Sequence, residues 1–166
     1  MTVCTKDREH LLGEIVEGKM NTNPAGEMVQ KIWLSIPENY HGFKTDHYVV
    51  MPNHFHGIII KENVGAGPCT CPDHKNIRFR ATTGSRPYNL SLFDVMERFK
   101  SLTTKKYLEG IDINGWQPFN GKLWQRNYYE HIIRNGHELK AYRKYIKENT
   151  KRWDKDEYFD DEKNDP

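Results

Sequence analysis

The chain has 166 residues, of which 36% are hydrophobic and 29% charged, and its formal net charge is +2. That length is enough for one domain with a real core and too short for two ordinary domains. The sequence contains no apolar run of about 18 residues and no cationic-then-apolar start, which argues against a membrane span and a secretory signal.

The first half of the chain predicts strands around one helix. A strand is predicted near residues 2–5, and a helix around 25–34 has apolar residues at helical spacing. Two further strands are predicted at 47–51 and 55–61, with Pro52-Asn53 as the turn between them. These two strands would form an antiparallel hairpin.

The second arm of this hairpin carries His54, Phe55 and His56. Successive side chains of a strand point to opposite faces, so both imidazoles project from one face while Phe55 turns towards a core. Neutral imidazole is the commonest protein ligand for a divalent metal. The pair therefore predicts a metal site, although two histidines on the polar face of an exposed strand have the same spacing.

A stretch rich in Gly, Pro, Thr and charge at 62–88 predicts a long mobile loop within the domain. Cys69, Cys71 and His74 lie in it, but a zinc site needs a fourth ligand and none is evident nearby. With Cys4, the cysteines are odd in number and lack framework spacing, which favours a reducing, cytoplasmic location.

The second half predicts a helix, a strand and a second helix. Residues 91–107 form an amphipathic helix that begins with the N-cap pair Ser91 and Asp94, and a strand at 123–133 follows. Strands separated by two packing helices predict an α+β fold with a ferredoxin-like antiparallel sheet. One face of that sheet would be free to hold an active site.

The last helix is predicted to start at Asn135, with Glu138 as its capping-box partner. Tyr145 and Asn149 are four residues apart on it and are therefore neighbours on one face. A tyrosine with an amide one turn away combines a nucleophile with a metal-ligand oxygen. Rival tyrosines for the nucleophile are Tyr128, Tyr129 and Tyr142.

Three segments together closely resemble the single-tyrosine transposases of the HUH nuclease superfamily. Among these transposases, the chain is most similar to the branch associated with repetitive extragenic palindromes. The segments are VMPNHFHG at 50–57, LWQRNYYEHIIR at 123–134 and YIKEN at 145–149. The resemblance extends over most of the chain, to about residue 153. Two departures stand out. Thr150 occupies a position where relatives usually have proline. Residues 1–5 supply only about the second half of the first strand, so that either the native start lies upstream or this edge strand is reduced.

The resemblance implies an HUH nuclease fold with one catalytic domain at 1–153, and the composition of the remaining residues predicts an acidic tail at 154–166. It implies a metal-dependent single-strand DNA transesterase that cuts and rejoins hairpin or palindromic DNA through a 5′-phosphotyrosine. Tyr145 would be the nucleophile. The ligands of a divalent ion, Mg²⁺ or Mn²⁺, would be His54, His56 and Asn149.

Charge is segregated along the chain. Residues 75–153 carry 17 Lys and Arg against 7 Asp and Glu, whereas residues 154–166 carry 2 against 7. The basic segment indicates a polyanionic partner, here single-stranded or hairpin DNA, although a solvated charged face has the same composition. The candidate DNA contacts are Arg98, Lys100, Lys105, Lys106, Arg126 and Arg134. The protein would then be nucleoid-associated, and relatives act either as homodimers or as monomers.

Two other functions fit the same motifs. The first is a DNA-binding protein that kept the scaffold and lost the reaction, with Thr150 and the short first strand as the sites of damage. The second is a replication or conjugation nicking enzyme. Such enzymes usually carry a helicase or a larger partner domain, for which this chain has no room.

Overall fold

The computed structural model of the protein describes residues 1–62, 90–156 and 158. The predicted loop at 62–88, apart from its first residue, lies outside the described residues, and so do its cysteines and histidine. The same holds for most of the acidic tail, of which residues 154–156 and 158 are described.

The fold is α+β, with an antiparallel sheet packed against helices in an arrangement compatible with the predicted ferredoxin-like fold. Strands β1 (Thr2–Cys4), β4 (Phe43–Val50) and β5 (His54–Lys61) form a sheet of order β1-β5-β4. A separate hairpin pairs β2 (Gly13–Val16) with β3 (Lys19–Thr22). Because β5 is paired on both edges, the strand that carries the two histidines is the central one.

Strand β4 starts four residues earlier than predicted. Its register with β5 shifts between Thr45 and Tyr48, where Asp46 and His47 leave the regular ladder. Such an irregularity re-aims side chains and hides the period-two pattern from sequence inspection. Here it releases Asp46 for a contact with the last helix.

The predicted strand at 123–133 is not continuous. Trp124 and Tyr129 make isolated antiparallel bridges to Thr5 and Thr2, the two ends of the β1 region. Five peptide steps separate the two bridges on this segment and three separate them on the β1 side. The two extra residues bulge out, so the pairing cannot propagate as a ladder.

The predicted helices begin close to the residues at which the sequence predicted them to begin. Asn135 caps its helix, because its Oδ1 accepts from the Glu138 N–H at 2.8 Å. Glu138 does not complete the predicted capping box with Asn135; its carboxylate accepts from the Arg134 N–H instead.

None of the described helices combines the length and apolar character needed to cross a membrane. The helices are α1 (Pro24–Leu34), α2 (Ile36–Asn39), α3 (Leu92–Asn114) and α4 (Gly136–Glu148), with 3-10 helices at Lys6–Arg8 and Asn149–Lys155.

Helix α3 has the predicted capping box of Ser91 and Asp94 but continues seven residues beyond the predicted end. It stops at Gly115, which adopts φ of 65°, a left-handed conformation that glycine reaches without strain. Gly110, inside the helix, leaves room for Trp116, because a Cβ there would lie 2.2 Å from the indole ring. The chain therefore folds back tightly against the end of α3.

The core lies between the sheet and helices α1 and α3. Trp33 of α1, Phe55 of β5 and Phe99 of α3 form a triangle of aromatic rings, with centroids 4.7, 5.5 and 5.7 Å apart. All three are at most 2% exposed. Since Phe55 points into this core, its neighbours His54 and His56 must point to the opposite face of β5.

We expect Gly57→Ala to destabilise the fold, because the added Cβ would lie 2.5 Å from Trp33 Cζ2 and 2.8 Å from Phe55 Cε1. Overpacking of this kind lowers the free energy of unfolding by about 1–3 kcal/mol. Urea unfolding measures it. Gly136→Ala is the matched control, since nothing lies within 4 Å of a Cβ there; an equal loss in both variants would contradict the packing explanation.

Candidate metal centre

The two histidines of β5 converge as the strand period predicts. Their Nε2 atoms are 3.0 Å apart and their ring centroids 4.5 Å apart. His54 is 0% and His56 4% exposed, so their side chains do not lie on a solvent-exposed face of the strand. The alternative interpretation of the motif as an exposed polar face is therefore wrong.

The outer nitrogen of His54 has a partner that fixes its tautomer. Asn53 Nδ2 donates to the Tyr158 carbonyl at 2.7 Å, which orients the amide and leaves Asn53 Oδ1 facing His54 Nδ1 at 2.8 Å. Oδ1 can only accept, so we assign the proton to His54 Nδ1. The Nε2 of His54 is then unprotonated, and its lone pair points towards His56.

The outer nitrogen of His56 is also held, by Thr2 Oγ1 at 2.7 Å. A hydroxyl donates or accepts, so His56 can adopt either tautomer. In one, its Nε2–H donates to His54 Nε2; in the other, Nδ1–H donates to Thr2 and both Nε2 lone pairs face the same point. Metal-binding histidines are usually held in this way through the nitrogen that does not bind the metal.

The donor geometry fits a divalent ion. Two ligand atoms about 2.1 Å from one ion and at right angles to each other are about 3.0 Å apart, the separation found here. A carboxylate oxygen of Asp156 lies within 4.8 Å of nitrogens of both histidines. Two imidazoles and a carboxylate are a mixed donor set that suits Mn²⁺ better than Mg²⁺, which prefers oxygen alone.

Asn149, the predicted third ligand, directly follows helix α4 and is 2% exposed. Its Oδ1 is buried and accepts no hydrogen bond from the described part of the chain. An unsatisfied buried acceptor costs free energy unless another partner, such as a cation, satisfies it. Its role as a ligand stays a prediction.

Both imidazoles are neutral at physiological pH. Burial, with the neighbouring His56 as a further cause, holds the pKa of His54 well below its usual value. Burial and the amino terminus lower the pKa of His56 to about 3. Neutral imidazole is the form that binds metals, so the protein presents these ligands without first having to remove a proton.

Helix α4 brings Tyr145 to the same site. Its ring centroid is 5.3 Å from that of His56, and the side chain is 43% exposed, open to a large substrate. Arg143, half a turn earlier, binds Asp46 of β4 through Nη2 at 2.7 Å and Nε at 2.9 Å. Burial alone would raise the pKa of Asp46, but hydrogen bonds from His47 and Arg143 lower it, so the carboxylate stays charged and holds the helix on the sheet.

Tyr158 is a second tyrosine at the histidines, and sequence reasoning missed it. Its ring centroid is 4.7 Å from that of His54 and 6.2 Å from that of His56, and the Arg8 guanidinium lies 5.5 Å from the ring centre. The acidic composition around it predicted a tail outside the domain. An aromatic side chain within that acidic stretch was the available signal for a docked segment.

The rival tyrosines lie elsewhere. Tyr142 packs on His131 with centroids 5.2 Å apart, and Tyr129 bridges to β1. His131 itself binds Glu138 at 2.6 Å, a structural role. Among the described tyrosines, ring contacts to the histidine pair are made by Tyr145 and Tyr158.

Three of the six predicted DNA contacts line one groove of about 550 Å³ between α3 and the bulged segment. They are Arg98, Lys100 and Arg126, and the rest of the lining is Phe93, Tyr128, Ser101 and the carboxylate of Glu97. Cations interleaved with aromatic rings are typical of single-stranded nucleic acid sites.

The other predicted DNA contacts are dispersed or engaged. Lys106 binds Glu109 at 2.6 Å, Lys105 is exposed on α3, and Arg134 precedes α4. Within the groove, Lys100 donates to the carbonyl oxygens of residues 125 and 126 at 2.6 and 2.9 Å, and burial lowers its pKa. Lys100 therefore stabilises the bulged backbone, while a DNA contact from it stays a prediction.

Comparison with known proteins adds a relative. An "Uncharacterized protein" of Haemophilus influenzae is 33% identical over an alignment 166 positions long, which spans 97% of this chain and 84% of that protein. The chain belongs to the family of this Haemophilus protein. No protein-family model matches the chain. The relative's name states no activity, so any function must be inferred from the site.

Metal-free protein should lose stability as the pH falls below about 6.5, the ordinary pKa of histidine. Unfolded chains take up protons there, whereas folded His56 stays neutral down to about pH 3. The unfolded state therefore binds more protons in this window, and the free energy of unfolding falls by about 1 kcal/mol per histidine between about pH 7 and 5.5. Urea unfolding of the double variant His54→Gln/His56→Gln should show a smaller loss; the same pH dependence as in the wild type would contradict the assigned protonation.

Proposed function

We propose that the protein is a metal-dependent single-strand DNA transesterase, of the single-tyrosine HUH transposase type, that cuts and rejoins DNA at hairpin or palindromic sites. The observation that carries the proposal is the convergence of His54, His56 and Tyr145 from a central strand and a distant helix. A buried histidine pair with its outer nitrogens held and a reachable tyrosine beside it is the arrangement that such chemistry needs.

Tyr145 acts as the nucleophile. Its hydroxyl loses a proton as its oxygen bonds to phosphorus, the bond to the 3′ oxygen breaks, and that oxygen takes up a proton. The products are a 5′-phosphotyrosine and a free 3′ hydroxyl. The phosphotyrosine conserves the energy of the broken bond, so a 3′ hydroxyl from another strand can reverse the step without a nucleotide cofactor.

His54 and His56 would hold a divalent ion that polarises the scissile phosphate and offsets its developing negative charge. The chain's own contribution is to keep both imidazoles neutral and oriented, through Asn53 and Thr2. The ion pair of Arg143 and Asp46 keeps helix α4, and with it the tyrosine, against the sheet.

The groove of Arg98 and Arg126, with Phe93 and Tyr128, is the proposed contact for single-stranded or hairpin DNA. Guanidinium groups bind phosphates, and every base can stack on an aromatic ring. The groove would therefore bind single-stranded DNA with little preference for its base sequence. The proposed catalytic residues come from one chain, and α4 packs on β4 of that same chain. The reaction as proposed does not require a helix exchanged from a second copy.

The decisive experiment incubates the protein with 3′-labelled hairpin DNA and Mn²⁺, traps the covalent adduct by denaturation and maps the modified peptide. We expect a 5′-phosphotyrosine at Tyr145 that disappears in Tyr145→Phe, because that change removes only the attacking oxygen. Tyr158→Phe is the matched control, since it removes a hydroxyl from the other tyrosine at the histidines and should leave the adduct in place.

An adduct on Tyr158 that survives Tyr145→Phe would overturn the assignment of the nucleophile. If palindromic substrates bind but form no adduct in any variant, the protein is a DNA-binding member of the scaffold that lacks the reaction.

The double variant Arg98→Ala/Arg126→Ala should bind hairpin DNA more weakly at all sequences. Single-strand affinity falls with salt with a log-log slope on the order of −0.7 per phosphate contact, so losing two contacts should flatten the slope by roughly 1.4. Lys44→Ala is the control, because that lysine lies on β4, pairs with Glu62 and does not line the groove. Fluorescence anisotropy across a salt series measures both; identical slopes in all three proteins would remove the groove from the interface.

A further inference from the structure

The carboxylate nearest the histidine pair comes from the segment after the last helix. Asp156 offers an oxygen, and His54 and His56 each a nitrogen, that all lie within 4.8 Å of one another. A divalent ion placed among them could reach all three after small side-chain shifts. No other described group of three His, Cys, Asp or Glu side chains is clustered in this way.

Local structure holds Asp156 in place. The 3-10 helix Asn149–Lys155 ends with the Asp156 N–H donating to the Trp153 carbonyl at 3.0 Å. Trp153 is 8% exposed and packs against His54, with ring centroids 6.0 Å apart. The Asp156 Oδ1 accepts from the Tyr158 N–H at 2.9 Å. A carboxylate has about four acceptor positions, so it can accept hydrogen bonds and bind a metal at the same time.

The segment after Asp156 is tied to the hydrogen bonds that orient His54. The Tyr158 carbonyl accepts from Asn53 Nδ2, and the same amide presents its oxygen to His54 Nδ1. One side chain thus links the metal-facing histidine to the carboxyl-terminal segment. Metal binding at His54 would therefore change the contacts of Tyr158, and a change at Tyr158 would alter the orientation of His54.

Charge balance favours Asp156 over a neutral third ligand. Two neutral imidazoles leave both charges of a buried divalent ion uncompensated, and an uncompensated buried charge is costly. An amide oxygen from Asn149 would not change that balance. The Asp156 carboxylate would cancel one of the two charges.

We infer that Asp156 is the third protein ligand of the ion at His54 and His56, so that metal binding fastens Asp156 and Tyr158 across the histidine pair. The inference rests on the metal site of the proposed function and is independent of the DNA chemistry. It gives the carboxyl-terminal segment a role in metal affinity.

The test is Mn²⁺ binding without DNA, by titration calorimetry and by electron paramagnetic resonance of the free ion. We expect Asp156→Ala to weaken Mn²⁺ affinity by at least about tenfold, and Asp156→Asn, which keeps the shape and loses the charge, to weaken it in the same direction. Asp154→Ala is the matched control, because it removes the same charge from an exposed position two residues earlier. His54→Ala/His56→Ala should abolish binding.

A second readout follows the segment itself. Lys155 is exposed, so trypsin can cleave after it. Mn²⁺ should slow that cleavage in the wild type and in Asp154→Ala, and should not slow it in Asp156→Ala.

Asp156 variants that bind Mn²⁺ as tightly as Asp154→Ala, while the histidine variant does not bind, would overturn the inference and leave the metal site intact. Weakened binding in Asn149→Ala with Asp156→Ala unchanged would likewise overturn it and return the third ligand to Asn149. Full binding by the histidine variant would remove the metal site, and both proposals with it.

Discussion

The position of β5 at the centre of the sheet is the constraint on which the site depends. Hydrogen bonding to β1 on one edge and β4 on the other fixes its register, and Phe55 fixes its rotation by packing 4.7 Å from Trp33. A slip of one residue would put the histidines into the core and Phe55 at the site. The metal-facing geometry is therefore a consequence of core packing on the opposite face.

Around the histidines the buried polar groups form a connected network. Thr2 holds one imidazole from β1, and Asn53, in the turn before β5, holds the other. Such networks in a low-dielectric interior are stabilising when each member is satisfied and expensive when one is not. Asn149, whose buried oxygen lacks a donor among the described residues, is not satisfied by this network.

The proposed DNA-binding groove and the proposed metal site carry opposite charges. The groove of Arg98 and Arg126 lies on α3 and the bulged segment, whereas the Asp156 carboxylate lies beside the histidines. Phosphates are attracted to the first and repelled by the second unless a cation intervenes. A divalent ion at the histidine pair would make the site compatible with a DNA backbone.

Local signals in the sequence determined where α1, α3 and α4 start, the turn at residues 52–53 and the shared face of His54 and His56. Caps and strand period act over only a few residues, so they can be read from the sequence. The proximity of Tyr145 to the histidines followed from a family resemblance. Only the tertiary structure decided that the segment at 123–133 pairs irregularly and that Asp156 and Tyr158 lie at the site. Those features depend on contacts between residues far apart in the chain, which composition and periodicity do not encode.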